Sequence, residues 1–396
     1  MTAAIESSDL MRVGPGTPMG ALMRQYWFPA AMSSELVADG PPIRLVLLGE
    51  KLIGFRDSAG RVGIMDQRCP HRCASLFLGR NEESGIRCVY HGWKFDVTGQ
   101  CVDMPSVPPH QAFKDKVRPP AYPPTERNGL IWVYMGDRSV APPLPSMEAS
   151  LLPESELHVW CAIRECNYLQ ALEGDIDTSH FGVLHGGHID ANDLAEDNML
   201  RHTVSSRAPE YHVGDAEWGT TYGAYRPAGQ GRNYWRVANF LFPFWCQTPA
   251  GEFSHQVDCR AWVPMDDAHT MFFQLSWRQK RGAIDARKKD GTPFQGLNRA
   301  IHYLPNTTDW YGRWRLAANP GNDWLIDRAA QASGRIYTGI EGVHLQDQAI
   351  TESMGPMTDR SLEYLASTDI AIVRARRRLL EIAQSLPAAS DLPGLD

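Results

Sequence analysis

Cys69-x-His71, sixteen intervening residues, and Cys88-x-x-His91 bring two thiols and two imidazoles into a short stretch of chain. The surrounding words, "DQRCPHRCASLFLG" and "CVYHGWKF", lie among β-rich runs broken by turn residues, so two loops at hairpin tips can converge on one site. A structural zinc would accept such a Cys₂His₂ set. Zinc sites usually clamp one side of the ion with a C-x₂₋₄-C knuckle, whereas each loop here offers one thiol and one imidazole. That mixed supply suits a [2Fe–2S] cluster in which two thiolates hold one iron and two imidazoles the other. Cys73 completes a C-x₃-C with Cys69 and keeps the zinc alternative in view.

A second constellation lies in "EGDIDTSHFGVLHGGH". Asp177 and His180 stand at i, i+3, and Glu173 and Asp177 at i, i+4, which places each pair on one face of a regular helix. His185 lies five residues past His180, about 140° around such a helix, so an unbroken helix could not bring both imidazoles to one ion. Gly182, Gly186 and Gly187 allow the chain to turn there. Two imidazoles and one carboxylate make the facial set of a non-haem Fe(II) centre, with positions open to O₂ and substrate. Asp177 is too near along the helix to be the third ligand, which leaves Asp347 in "HLQDQAITESMG" and Asp323 or Asp327 in "GNDWLIDR". His188 reads as a loop histidine.

These words resemble a known family. "CPHR" and "CVYHGWKF" are similar to the ligand loops of Rieske domains, with the HGW-x-F tail of Rieske oxygenases. The position of Cys73 is usually Gly in those oxygenases, so Cys73 reads as an extra thiol and not a ligand. The inter-loop disulfide of high-potential Rieske proteins would fall at Ala74 and Tyr90 and cannot form. An Asp followed five residues later by Glu closes the family's iron site, which selects Asp347 with Glu352. "RVGPGTPMGALMRQYWFPA", the cluster block, "NDWLIDRAAQ" and the Asp347 block together resemble the α subunit of Rieske non-haem iron aromatic-ring oxygenases, in the phthalate-dioxygenase-like group.

The resemblance implies a Rieske [2Fe–2S] cluster on Cys69, His71, Cys88 and His91. It implies mononuclear Fe(II) on His180, His185 and Asp347. It further implies electrons from a separate reductase, a flavin and ferredoxin-type donor, and a homotrimer or stacked trimers in which one subunit's cluster serves its neighbour's iron. Asp177 is then the candidate catalytic residue, linking His180 to His91 of the adjacent chain. Three activities are compatible with this: ring hydroxylation of a small aromatic substrate with O₂, an aromatic acid above all; O-demethylation or aryl-ether cleavage on the same iron; or electron carriage without oxygenation. Arg226 and Arg236 are the candidate partners of a substrate carboxylate, and Arg236 is expected to be a structural or surface residue. Phe240, Phe242, Phe244 and Trp245 are candidate pocket residues.

The elements that must position these groups fall into two expected domains. Residues 27–138 read as a small all-β Rieske domain of short strands and hairpins. Residues 1–26 and 139–396 read as an α+β catalytic domain, an antiparallel sheet with helices of helix-grip type. "VAPPLPSMEASLLPE" at 140–154 is the linker. Thr17 and Pro18 open a helix at 17–27; residues 166–187 form a helix broken near its end; "RGAIDARKKDGTP" is a polar loop. Ser367 caps a last helix with Ile372, Leu379, Ala383 and Leu386 on its apolar face, stopped by Pro387. Cys101, Cys161, Cys166, Cys246 and Cys259 read as small buried residues.

The 396 residues carry a net charge of −7 and one basic block, "RARRR", which argues against nucleic acid. No apolar run approaches a bilayer span, and the start of the chain lacks a signal pattern, so a cytoplasmic protein without membrane partners is expected. No nucleotide fingerprint or four-cysteine ferredoxin motif is present, which is why the reductase must be separate.

Overall fold

The computed structural model describes residues 7–137, 140–249, 257–278 and 286–395. The expected boundary at 138/139 and the first half of the 281–293 loop lie outside them.

Three small antiparallel sheets precede residue 138. Strands Ile43–Leu47, Glu50–Arg56, Val62–Asp66 and Ala121–Tyr122 form one, and Arg80–Glu82, Gly85–Arg87, Lys94–Phe95 and Cys101–Asp103 another. Trp27–Met32, Leu130–Tyr134 and Pro124–Arg127 make the third. Strands Glu50–Arg56 and Val62–Asp66 are buried on both faces: Leu52, Val62 and Ile64 join the main core, and Ile53, Phe55 and Met65 share an interior with Ile86 and Phe95 of the second sheet. The buried Cys69 and Cys88 sit in that same interior, so the ligand loops are anchored by the core beneath them.

The larger unit is built on a seven-stranded antiparallel sheet. Its order is Leu157–Arg164, Thr270–Trp277, Asp258–Pro264, Trp245–Gln247, Asn233–Leu241, Gly219–Pro227, Glu210–Ala216. The helix Tyr168–Ile176 lies against its middle strands, with the Asn167 side chain accepting from the Leu169 amide as cap. Seven of that helix's nine residues are buried, which fixes where the Asp177–His185 segment leaves it. Val343–Ser353 packs beside it and Ile370–Ser385 crosses the N-terminal helices.

Several local expectations need correction. The 17–27 helix is shorter, Pro18–Met23, because Trp27 already pairs with Tyr134; Thr17 does cap it, accepting from the Gly20 amide. The last helix starts at Ile370, after a separate 3₁₀ turn at Ser367–Asp369. There the Asp369 carboxylate accepts from the Ala366 amide, and Ser367 caps nothing. Leu386 ends that helix in a left-handed conformation, 40% exposed, while Ile372, Leu379 and Ala383 are buried as expected. The helix break comes earlier too, at Asp177, whose extended backbone ends the helix before His180 starts a 3₁₀ turn. Asp177 and His180 therefore meet across a turn and not along a helix face. Among the described residues, no helix is long and apolar enough to cross a membrane.

Candidate metal centres and cavity

The two cysteine loops share one backbone design. The Cys73 amide donates to the Cys69 carbonyl and the Cys69 amide to the Ala74 carbonyl, at 2.9 and 2.8 Å. In the second loop the Gly92 amide donates to Cys88 and the Cys88 amide to Trp93, both at 2.9 Å. The residue four after each cysteine is left-handed: Cys73 at φ 58° and Gly92 at φ 77°. Cys73 thus holds the place that Gly92 fills in the sister loop, a conformation glycine adopts without cost. A Cβ at Gly92 would also strike Pro105.

The loops bring all four ligand candidates together. Cys69 and Cys88 are buried, and the His71 and His91 rings lie 4.3 Å apart. Nδ1 of both histidines is buried without a hydrogen-bond partner. Buried ring nitrogens are rarely left so, and two converging ones call for a cation. Burial pushes the Cys69 thiol up to about 12, so a thiolate there needs compensating metal charge. Trp93 stacks on His71 at 4.4 Å and fixes its plane. Cys73 points outward, and all eight cysteines are free; the five expected to be buried are buried.

The second centre draws on segments far apart in sequence. His180 Nε2 and His185 Nε2 stand 3.2 Å apart. Asp347 Oδ1 lies 3.0 Å from the His185 nitrogen and 3.6 Å from that of His180. Cis ligand atoms about 2.1 Å from one ion are themselves about 3 Å apart, so the triangle fits a facial set. Each Nδ1 is held by the protein: His180's at 3.2 Å from Asp177 Oδ2, His185's at 2.7 Å from Gln346 Oε1. With Nδ1–H donating, each Nε2 keeps its lone pair for metal. Gln346 is fixed in that orientation because its amide donates to the Gly296 and Ile340 carbonyls. Asp177 is fixed through its other oxygen, which accepts from the Ser179 amide and hydroxyl. Burial alone would lower the His180 pKa; the Asp177 hydrogen bond and the Asp347 charge raise it instead. Burial would likewise raise Asp347, and the two histidines hold it far below the usual carboxylate range.

The other candidates lie elsewhere. Asp323 and Asp327 are exposed, and Asp327 caps Arg328–Ala332 and pairs with Arg335. His188 faces the Gln295 carbonyl in a loop. Glu173 is ion-paired with Arg360 and Arg376, and Glu352 accepts from the Glu165 amide and Trp324; both are structural. Gly187 serves close packing, since a Cβ would meet Tyr337 and the Val183 carbonyl at 2.5 Å.

A cavity of about 470 Å³ opens onto the triad, with apolar walls from Trp160, Phe181, Leu297, Ile301 and Val343. Phe240, Phe242, Phe244 and Trp245 are not in it; all four are buried in the main core. Arg226 is outside the cavity, whereas Arg236 lines it. Arg236 Nε donates to Thr178 Oγ1 at 2.7 Å, and the guanidinium lies over Phe181. Arg260, also in the wall, is ion-paired with Asp175, which Trp262 holds from its other oxygen. His344, one turn before Asp347, contacts Trp160 and is kept neutral by burial and the adjacent Arg164. Sequence reasoning missed Gln346, Arg260 and His344; the one available signal was their closeness to Asp347 or to pocket strands.

Comparison with known proteins agrees with both centres. The Rieske [2Fe-2S] domain family matches residues 26–115, and the family described as LigXa C-terminal domain like matches 133–395. The chain is 52% identical over its full length to the 3-chlorobenzoate-3,4-dioxygenase oxygenase subunit of Comamonas testosteroni, covering 92% of that protein. It is 35% identical to the phthalate 4,5-dioxygenase oxygenase subunit of Pseudomonas putida, over 98% of this chain and 88% of the relative. The 5,5'-dehydrodivanillate O-demethylase oxygenase subunit of a Sphingobium strain is 41% identical, over 99% and 82%. Among solved structures, the terminal oxygenase of carbazole 1,9a-dioxygenase from Novosphingobium sp. KA1 shares the fold at TM-score 0.60 and 18% identity, over 96% of this chain and 97% of that one. The chain therefore belongs to the Rieske non-haem iron aromatic-ring oxygenases, as a terminal oxygenase subunit with a [2Fe–2S] cluster and a mononuclear iron.

Proposed function

We propose that this subunit hydroxylates an aromatic acid with O₂, and that Arg236 receives the acid's carboxylate. The observation that carries the reading is the contrast between Arg236 and Arg260, two of the arginines in the cavity wall. Arg260 is neutralised by Asp175, whereas Arg236 has a hydroxyl and an aromatic face for partners and no carboxylate among the described residues. A guanidinium that lines the cavity without a carboxylate of its own favours a planar anion. The relatives named for 3-chlorobenzoate and phthalate act on such acids.

In this reading Cys69, His71, Cys88 and His91 hold the cluster within residues 27–138, and His180, His185 and Asp347 hold iron in the remainder, 1–26 and 139–396. The cluster supplies electrons one at a time and the iron supplies O₂ activation. The chain's own residues then do three things. Arg236 and Thr178 orient the substrate, Trp160 and Phe181 exclude water, and Asp177 fixes the His180 ring toward the metal. Asp177 also reaches His91 of an adjacent subunit in a head-to-tail trimer, a contact that closes a ring. A separate flavin and ferredoxin-type reductase delivers electrons, in the cytoplasm.

The test is single turnover of reduced, metal-loaded enzyme with aryl acids and aryl ethers under ¹⁸O₂. Ring hydroxylation of an acid with two labelled atoms supports dioxygenation. The 41% identical O-demethylase makes one labelled atom and loss of a methyl group the second reading. Turnover of uncharged aryl ethers with no reaction of acids would overturn the carboxylate assignment.

A further inference from the structure

The cavity carries a polar patch on three paired strands. Trp160 pairs with Gln274, and Gln274 with Arg260, so the three form one row across Leu157–Arg164, Thr270–Trp277 and Asp258–Pro264. His158, Ser276 and Asp258 form a parallel row, two residues along and on the same face. All six residues line the cavity. Arg260 is shared by Asp175 and Asp258, at 2.5 and 3.9 Å, and the Ser276 hydroxyl donates to the His158 carbonyl at 3.4 Å. Gln274 is engaged on one side only. Its Oε1 accepts from the Trp160 indole at 3.1 Å. An indole N–H only donates, so the amide oxygen must face it and the NH₂ must face away. That NH₂ has no acceptor among the described residues. It is not among the polar atoms sealed in the interior, and Gln274 as a whole is half-buried, so the NH₂ opens onto the cavity that the residue lines.

A donor group fixed in direction selects ligands that bring an acceptor, because an analogue without one leaves the donor unpaired. Two strands separate the Gln274 strand from the Arg236 strand in the sheet order, so Gln274 addresses a part of the substrate other than the carboxylate. Arg260 already has two carboxylates, so these strands offer no free guanidinium to a second anion. We propose that Gln274 is a specificity-determining residue whose amide donates to a neutral oxygen substituent, an ether, hydroxyl or carbonyl, on the aromatic substrate. Trp160 is the positioning residue that holds the amide the right way round. The inference rests on the reading of this cavity as the place of an aromatic substrate.

The test measures dissociation constants on metal-loaded enzyme without O₂, so that nothing turns over. The probes are ortho-, meta- and para-methoxybenzoate, each against the matching ethylbenzoate, a pair that differs by one ether oxygen for one methylene. At least one methoxy isomer should bind about 10-fold tighter than its ethyl partner. Gln274→Met, close in length and without N–H groups, should abolish that preference, with the loss falling on the methoxy member. Gln274→Leu serves if Gln274→Met does not fold. The uncharged pairs methoxytoluene and ethyltoluene separate this inference from the acid assignment. Failure of every benzoate to bind overturns the carboxylate at Arg236, while the ether preference among the toluenes still decides Gln274. Absence of any ether preference in the wild-type enzyme overturns the proposal without a variant, and a preference that survives loss of the amide overturns it as well.

Discussion

The two metal centres use histidine in opposite ways. In the cluster loops Nδ1 of His71 and His91 is the buried, partnerless nitrogen. At the mononuclear centre Nδ1 of His180 and His185 is taken by Asp177 and Gln346, and the Nε2 atoms converge. The cluster's geometry is set by backbone: two short loops with matched hydrogen bonds over a local core. The iron centre's geometry is set by side chains that lock each ring, one of them more than 160 residues away in sequence from the histidine it orients. A backbone-built site tolerates side-chain changes around it; a site oriented by side chains depends on each of them.

The most severe way to break this contrast is Asp347→Ala. Iron should fall from about three to about two per chain, with the cluster's visible spectrum retained and turnover reduced by about 1,000-fold or more. Loss of the spectrum as well would show that the two centres are not independently built. Asp177→Asn keeps both metals and lowers product formation about 100-fold while cluster oxidation and product become uncoupled. Wild-type turnover in that variant would remove Asp177 from the account. Gln346→Leu frees the His185 ring and should weaken iron binding about 30-fold in metal titration, leaving the cluster untouched.

Arg236→Met tests the cavity and not the metals. It should raise KM for aromatic acids about 10-fold, with little change for uncharged aryl ethers. The smallest effect belongs to the cluster loop. Cys73→Gly relieves a left-handed non-glycine residue at the position matching Gly92. Stability in denaturant titration should rise by less than about 1 kcal/mol, since glycine also loses more entropy on folding.

Legibility in the sequence divides along the same line. The four candidate cluster ligands are readable because both loops are contiguous words whose backbone does the positioning. His180 and His185 are readable as a pair, whereas spacing leaves the third candidate open among Asp323, Asp327 and Asp347, and only the family resemblance selects Asp347. Nothing in spacing reveals that Val343–Ser353 packs beside Tyr168–Ile176. Gln346 escaped because a glutamine inside a helix carries no chemical signature until its partner ring is seen. The aromatic run Phe240–Trp245 was misplaced for a related reason. Alternation tells which residues share a face, but not whether that face meets a cavity or the core. Arg236 shows the converse, an arginine on a sheet face whose opening into the cavity depends on Thr178 and Phe181 folding over it.

The central claim is that each centre takes metal through its own ring nitrogen and its own residue set. Anomalous diffraction at the iron edge from metal-loaded crystals tests it most directly. A paired peak is expected beside Nδ1 of His71 and His91 and the sulfurs of Cys69 and Cys88. A single peak is expected within reach of Nε2 of His180 and His185 and the carboxylate of Asp347. A single iron on other ligands, or a mononuclear peak on the Nδ1 side of either histidine with Asp177 or Gln346 displaced, would contradict it.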